Sequence, residues 1–115
     1  MLVAYERFGL SQLLGQVPCD LSDLGSVRTF TRALLADNLG GPASVQRLVL
    51  AAGMVGPPVS AGRTTEGHEL NFGVNHLGHF YLTQGLMPAL RKSETGARVI
   101  SLTSTAALDV PGPLR

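Results

Sequence analysis

Apolar runs alternate with glycine-containing breaks along the chain, and the spacing of the apolar residues predicts where helices lie. The clearest helical pattern begins with Ser22 or Asp23 as its cap, runs to about Asn38 and ends at the Gly-Gly-Pro of residues 40–42. Its apolar face comprises Leu24, Val27, Phe30, Thr31, Leu34 and Leu35. A second helix is expected to begin at Thr64–Glu66 and to approach its end at Pro88.

Two short apolar runs without alternation predict strands that are covered on both faces. These are residues 47–53 (RLVLAAG) and 97–104 (ARVISLTS), and a brief additional strand is expected to end near Cys19. The two apolar strands flank the second helix, which is the order of a parallel βαβ unit. The pattern therefore predicts the α/β class, with residues 1–115 forming one domain.

Composition narrows the possible partners. The chain has 9 basic and 8 acidic residues, a net charge of +1 and no basic run longer than Arg91-Lys92, so nucleic acid is not an expected partner. Cys19 is the single cysteine, which excludes an internal disulfide and fits a reducing compartment such as the cytoplasm. The N-terminal residues include Glu6 and Arg7, where a secretory signal requires an unbroken apolar core.

The residues from Leu70 to Leu90 contain no Asp, Glu, Lys or Arg. The stretch has the length of a membrane span, but it carries polar side chains and a proline: Asn71, Asn75, His76, His79, Gln84 and Pro88. We therefore expect a helix that is buried by protein and no membrane span.

Candidate ligand-binding residues stand where the predicted strands end, because ligands of parallel sheets bind at the carboxyl ends of the strands. They are Asp20, Ala51–Gly53 and Ser104. Each also has a structural interpretation, since Asp often caps a helix, Gly permits a tight turn and Ser is a common small residue at strand ends.

The histidines of the second helix permit two interpretations. His76 and His79 have i, i+3 spacing that could present two imidazoles to a metal, with His68 as a distant third. No tight ligand set follows from this spacing, so hydrogen-bonded helix residues are favoured and no metal is expected.

Four segments appear together in an order and spacing that resemble the short-chain dehydrogenase/reductase family, in the branch that contains retinol dehydrogenases and WW-domain oxidoreductase. They are CDLSDLGSVRTF, RLVLAAGM, EGHELNFGVNHLGHFYLTQGLMPAL and ARVISLTSTAA, and VNHLGHF is the most specific part. The resemblance covers about residues 17–107. It implies part of a Rossmann-like, doubly wound parallel sheet, namely the central βαβαβ portion, in an oxidoreductase that binds NAD or NADP.

The resemblance also implies roles for individual residues. Asp20 and Leu21 correspond to the positions that contact the adenine end of the cofactor, and Ala51, Ala52 and Gly53 to the segment that passes close to the adenine ribose. The implied substrate is a small-molecule carbonyl or alcohol.

Two further residues correspond to catalytic positions of the family. Asn75 matches the asparagine that helps to hold a water in a proton relay. Ser104, which is favoured over Ser101 by its place after the strand, matches the serine that hydrogen-bonds the reacting carbonyl.

The chain departs from the family pattern in three places. Leu50-Ala51 stands where relatives commonly have Asn-Asn, which is expected to weaken the sheet locally. No Gly-x-x-x-Gly-x-Gly turn occurs, and neither Tyr5 nor Tyr81 is followed four residues later by Lys. These absences predict a fragment that is inactive as an isolated chain. The alternative is a non-catalytic interaction module that forms homo- or heterodimers through the helix of residues 66–90.

Overall fold

Two parallel strands joined by a long helical crossover frame the structure, a computed structural model that describes residues 18–36, 45–55 and 62–105. Helix α1 spans Leu24–Leu35 and strand β1 spans Arg47–Leu50. The crossover consists of α2 (Leu70–Phe72), a π-helical turn (Gly73–Gly78) and α3 (His79–Arg91). Strand β2 (Arg98–Ser101) pairs in parallel with β1. The helix–strand order confirms the α/β class and the predicted βαβ unit.

Helix α1 begins where its capping residue predicts. The Asp23 carboxylate accepts hydrogen bonds from the N–H groups of Gly25 and Ser26, so Asp23 and not Ser22 is the cap. The buried face consists of Val27, Phe30, Thr31 and Leu34. The described helix ends at Leu35, before the predicted end near Asn38, because Ala36 is already extended; residues 37–44 lie outside the described residues.

The second helix begins at Leu70, and the prediction that Thr64–Glu66 open it is wrong. Thr64 N–H donates to the His68 carbonyl, His68 N–H donates to the Thr64 hydroxyl, and Gly67 closes the turn between them with a φ of 86°. Leu70 N–H then donates to the Gly62 carbonyl at 3.1 Å. Because the main chain of residues 62–70 bonds as a small hairpin, the helix starts only where the Glu69 carboxylate caps the N–H groups of Asn71 and Phe72.

The core lies between the helices and β1. Helix α3 packs on both α1 and β1, and Gly85 permits a close approach, since a Cβ there would lie 2.7 Å from Thr31 Cγ2 on α1. The buried apolar residues are Leu21, Val27, Phe30, Leu34, Val45, Leu48, Leu50, Val74, Leu82, Leu86, Ala89 and Leu90.

The two strands differ in burial. Leu48 and Leu50 of β1 are buried, as predicted for a covered strand, and the Leu50–Ser101 pair forms despite the apolar replacement at position 50. All four residues of β2 are exposed, so the prediction of a second buried strand is wrong. The difference comes from tertiary packing. Helix α3 packs on β1, whereas Val99 and Ile100, on opposite faces of β2, remain 46% and 43% exposed.

The brief strand expected before Asp20 falls partly on residues 16 and 17, outside the described residues. Pro18, Cys19 and Asp20 are described and belong to no strand. The described part of the chain therefore contains one βαβ unit preceded by α1.

Candidate functional site

Because β1 and β2 are parallel, their carboxyl ends lie at the same end of the sheet. Most of the predicted site residues lie at or just beyond this end, which is called the sheet edge below. Ser101 lies beside Leu50, and Leu102 N–H donates to the Leu50 carbonyl at 3.1 Å. The segments Ala51–Met54 and 102–104 therefore leave the sheet together. Ser104 is exposed and lies three residues beyond the end of β2.

Asp20 lies in the turn that leads into α1, with its carboxylate held by Ser22. Oδ1 of Asp20 accepts from the Ser22 hydroxyl at 2.7 Å and from the Ser22 N–H at 2.9 Å. The Asp20 N–H donates to the Ser26 hydroxyl at 3.0 Å, which ties the turn to the first turn of α1. The two bonds from Ser22, the hydroxyl before the amide, lower the pKa of Asp20 below its ordinary 3.8. Asp20 is thus a carboxylate at neutral pH.

Asn75 joins the crossover helix to the segment that follows β1. Its side-chain oxygen accepts from Met54 N–H at 2.9 Å, and its amide nitrogen donates to the Met54 carbonyl at 2.9 Å. A side-chain amide is one of the few groups that can satisfy both polar groups of one main-chain residue, because it carries a donor and an acceptor side by side. Asn75 therefore holds Met54 in a defined position at the sheet edge.

The π-helical turn provides the setting of Asn75. It spans Gly73–Gly78, and at its end His79 N–H donates to the His76 carbonyl. The His79 ring then binds the Asn75 carbonyl, with 3.0 Å between Nδ1 and the oxygen. Because a carbonyl only accepts, Nδ1 is the donor in this bond. A π-turn within a helix is frequently associated with a functional site.

The interpretation of the helix histidines as hydrogen-bonded residues is confirmed for the side chain of His79. His79 is 7% exposed and hydrogen-bonded as described, whereas His76 is exposed and lies 5.1 Å from the Phe72 ring, centroid to centroid. Among the described residues, no group of three or more His, Cys, Asp or Glu side chains is arranged to hold a metal ion.

An open cleft of about 510 Å³ lies between the Asp20 turn, the end of β1 and the crossover helix. It is lined by Pro18, Cys19, Asp20, Ser22, Met54, Leu70 and Val74. Asp20 provides the carboxylate of the cleft, while Met54, Leu70 and Val74 provide an apolar wall. The arrangement suits a flat, mostly apolar group with a hydrogen-bond donor at its edge.

Cys19 is the part of the cleft that sequence reasoning assigned no role. Burial, and to a lesser degree the negative charge of Asp20, raise the pKa of the Cys19 thiol from 9.0 to about 11. The side chain is therefore a neutral thiol that lines the cleft as a small apolar group. Met54, Leu70 and Val74 were likewise missed, although Leu70 and Val74 are four residues apart on the helix, a spacing that places them on one face.

The remaining predicted residues occupy distinct positions. Leu21 is fully buried in the core and is not among the residues that line the cleft. Ala51 and Gly53 are exposed, and Ala52 is half-buried. A Cβ built on Gly53 would meet only Asn75 Oδ1, at 3.7 Å, which is ordinary contact. Packing within the described protein therefore does not require glycine at position 53.

No helix in residues 18–36, 45–55 and 62–105 is both long enough and apolar enough to cross a membrane. This finding concerns the described helices, including the uncharged stretch of the crossover.

No protein-family model matches the chain. Curated proteins do match: retinol dehydrogenase 12 of Mus musculus is 44% identical over 89 residues, which is 77% of this chain and 26% of the relative. Polyprenol dehydrogenase of Mus musculus is 44% identical over 91 residues, and retinol dehydrogenase 11 of Homo sapiens is 38% identical over 87 residues; each covers 76% of this chain and 25% of the relative.

These identities show that the chain belongs to the short-chain dehydrogenase/reductase family, with which the observed parallel βαβ unit is compatible. Within that family the chain belongs to the branch of the retinol dehydrogenases. The chain spans about a quarter of the length of the curated relatives that it matches.

Proposed function

We propose that this chain is part of an NAD(P)-dependent oxidoreductase and forms the adenine end of its cofactor site together with two side chains of its catalytic site. The single observation that carries the proposal is the cleft that Asp20 lines together with Met54, Leu70 and Val74. The Rossmann-like sheet implied by the family forms such a cleft at the carboxyl ends of its strands.

The residues of the cleft fit the adenine group chemically. The exocyclic amine of adenine is a donor at the edge of a flat ring, and the low pKa of Asp20 keeps the matching acceptor charged. Apolar side chains at Met54, Leu70 and Val74 can cover the ring faces. Leu21, Ala51 and Ala52 contribute main-chain groups and small surfaces beside it, in the roles that the family resemblance implies.

Gly53 supports the same assignment. The space beside it is not filled by the described protein, since a Cβ there meets only Asn75 Oδ1 in ordinary contact. A glycine that packing does not require fits a position where a ligand approaches the main chain. We assign that ligand as the ribose of the cofactor.

Ser104 and Asn75 are the proposed catalytic contributions of this chain. The Ser104 hydroxyl would hydrogen-bond the oxygen of a carbonyl or alcohol substrate. Asn75 would keep Met54 in position through its two hydrogen bonds and would help to bind the relay water. When bound, the nicotinamide cofactor donates or accepts the hydride. The relatives' names, retinol and polyprenol dehydrogenase, favour an apolar alcohol or its carbonyl product as substrate.

The 115-residue chain by itself is proposed to be inactive. Its sequence contains neither the glycine-rich turn that binds the pyrophosphate nor a Tyr-x-x-x-Lys pair for proton transfer. Binding at the adenine end and turnover are therefore separable properties, and only the first is expected of this chain.

The test is a titration of the isotope-labelled chain with AMP, followed by amide chemical shifts. Because only the adenine end is present, we expect a dissociation constant on the order of 1 mM, with shifts at Asp20, Met54, Leu70 and Val74. Asp20→Asn should weaken binding at least about threefold, while the matched surface variant Glu94→Gln should leave it unchanged. Absence of shifts up to about 10 mM AMP would contradict the proposal.

A second candidate function is a non-catalytic interaction module that dimerises through the region of residues 66–90. The observation in its favour is a set of exposed aromatic side chains on this region: Phe72, Phe80 and Tyr81, which are 52%, 56% and 38% exposed. Large exposed aromatic residues are enriched at protein interfaces. Binding of the chain to a full-length retinol dehydrogenase, lost in Phe80→Ser, would support this role. The intact mass of the endogenous protein separates the two candidates, because a mass above 12.1 kDa indicates part of a longer enzyme.

A further inference from the structure

The tip of the hairpin of residues 62–70 is hydrogen-bonded to the main chain where α1 begins. Thr65 N–H donates to the Ser22 carbonyl at 3.0 Å. Oε1 of Glu66 accepts from the Leu24 N–H at 2.9 Å, across 42 positions of the sequence. The two bonds join the connection between β1 and the crossover helix to a distant segment of the chain, and Glu66 supplies one of them through its side chain.

The segment held in this way carries part of the cleft lining. Ser22 lines the cleft and holds the Asp20 carboxylate through its hydroxyl and its N–H, at 2.7 and 2.9 Å. The Asp20 carbonyl accepts from the Asp23 N–H at 3.2 Å, which closes the Asp20 turn over residues 20–23. A displacement of the main chain at residues 22–24 would therefore move the Asp20 carboxylate as well.

The base of the hairpin carries another part of the lining. Leu70 lines the cleft, and its N–H donates to the Gly62 carbonyl at 3.1 Å. A Cβ on Gly62 would lie 2.8 Å from Leu70 Cδ2, so the main chain there lies directly against the leucine side chain. Across the hairpin, the Arg63 guanidinium donates to the Gly67 carbonyl at 2.8 Å. Because these bonds cross the hairpin, we expect its tip and its base to move together.

Helix α1 does not depend on Glu66 for its cap. The Asp23 carboxylate accepts from the N–H groups of Gly25 and Ser26, which is an ordinary local cap. A helix with such a cap can begin without a second carboxylate from elsewhere in the chain. What the bond from Glu66 adds is a link between two segments that both contribute to the cleft.

We propose that Glu66 is a positioning residue of the adenine site, which fixes the Asp20 turn relative to Leu70 through its bond to Leu24. The role rests on the function proposed above, since adenine is the group that the cleft would hold. Glu66 is not among the residues that line the cleft, so it acts through the Asp20 turn and not by touching the ligand. An acceptor that is already held in place loses less freedom when the ligand binds, which strengthens binding.

The reactivity of Cys19 tests the link without any ligand, because Cys19 lines the cleft beside Asp20. Glu66→Ala should raise both the rate of Cys19 alkylation by iodoacetamide and the hydrogen exchange of the Ser22 N–H at least about threefold, since the lost bond lets the turn open more often. Glu66→Gln keeps an acceptor oxygen at the same reach and should stay within about twofold of wild type. Rates in Glu66→Ala equal to those of wild type would overturn the proposal.

AMP titration shows whether the position of the turn matters for binding. The dissociation constant should rise at least about threefold in Glu66→Ala and stay within about twofold of wild type in Glu66→Gln. Asp23→Ala is the matched control, because it removes the local cap at the same end of α1 and leaves the Glu66–Leu24 bond intact. It should lower the Tm at least as much as Glu66→Ala but change AMP binding by less than about twofold. Equal weakening of AMP binding in both variants would assign the effect to the stability of α1 and overturn the proposal.

The adenine site and the positioning role fail in different ways. If wild type binds AMP and Glu66→Ala binds it equally well, the adenine site stands and the positioning role is overturned. If wild type does not bind AMP while Glu66→Ala still makes Cys19 more reactive, the adenine site is overturned, whereas the link from Glu66 to the Asp20 turn is supported.

Discussion

The Asn75 side chain binds both the N–H and the carbonyl of Met54, each at 2.9 Å, and so joins the crossover helix to the residues that follow β1. The two residues are 21 positions apart, and the π-helical turn sets the position of Asn75 on the helix. The same asparagine that the family resemblance assigns to catalysis thus also determines the shape of the sheet edge.

Replacing Asn75 tests this relationship. Asn75→Ala removes both hydrogen bonds, and because the site is exposed and water can replace them, we expect a loss of about 1 to 2 kcal/mol in the free energy of unfolding. Asn75→Asp should be at least as harmful, since a carboxylate oxygen would face the Met54 carbonyl. Urea unfolding measures both effects. Gln84→Ala, at an exposed position of α3, is the control and should change stability by less than about 0.5 kcal/mol. A stability of Asn75→Ala equal to that of the control would show that the pair contributes nothing.

Two glycines should respond oppositely to alanine. A Cβ on Gly78 would lie 2.6 Å from the Leu21 carbonyl oxygen and 2.7 Å from its Cβ, and neither group can rotate away. We expect Gly78→Ala to lower the free energy of unfolding by about 1 to 3 kcal/mol. Gly53→Ala meets only an ordinary contact and should be neutral or slightly stabilising, yet it should weaken AMP binding. Thermal unfolding of the two variants side by side gives the comparison, and similar losses in both would refute it.

The hydrogen bonds from Ser22 should be visible in the titration of Asp20. Ser22→Ala removes the hydroxyl, the larger cause of the lowered pKa, and should move the pKa of Asp20 up toward 3.8. A lowered folded-state pKa contributes stability that is present above the unfolded value and is lost as the pH falls through the folded value. The difference in stability between wild type and Ser22→Ala should therefore be present at neutral pH and shrink on the acid side of 3.8. Carbon-detected NMR titration of the carboxyl group measures the pKa directly; an unchanged midpoint would contradict the assigned cause.

Cys19 should react slowly with thiol reagents. With a pKa of about 11 against an ordinary 9.0, the thiolate fraction at neutral pH is lower by a factor of about 100. Alkylation by iodoacetamide at pH 8 should be correspondingly slow compared with Lys92→Cys measured in the Cys19→Ser background. Asp20→Asn should accelerate the reaction only partly, because burial is the larger cause and remains. A Cys19 rate equal to that of the exposed control would contradict the raised pKa.

The sequence alone was sufficient for the features that depend on neighbouring residues. The apolar spacing of residues 24–35 and the carboxylate of Asp23 defined α1, since both the buried face and the cap are local properties of a helix. Two uninterrupted apolar runs on either side of a helix likewise indicated the parallel pair of β1 and β2. Gly53 and Ser104 were placed after β1 and β2 by the same kind of reasoning, whereas Asp20 follows no described strand; the functional roles of all three stay predictions.

Tertiary structure decided the features that depend on contacts between distant residues. The Glu66 carboxylate accepts from the Leu24 N–H, 42 positions earlier, and the hairpin of residues 62–70 delays the helix to Leu70. The cleft brings Cys19 and Met54 together with Leu70, a juxtaposition that no local pattern encodes. The exposure of β2 has the same origin: apolar composition predicts that a strand is suited to burial, but only the packing of other elements determines whether it is covered.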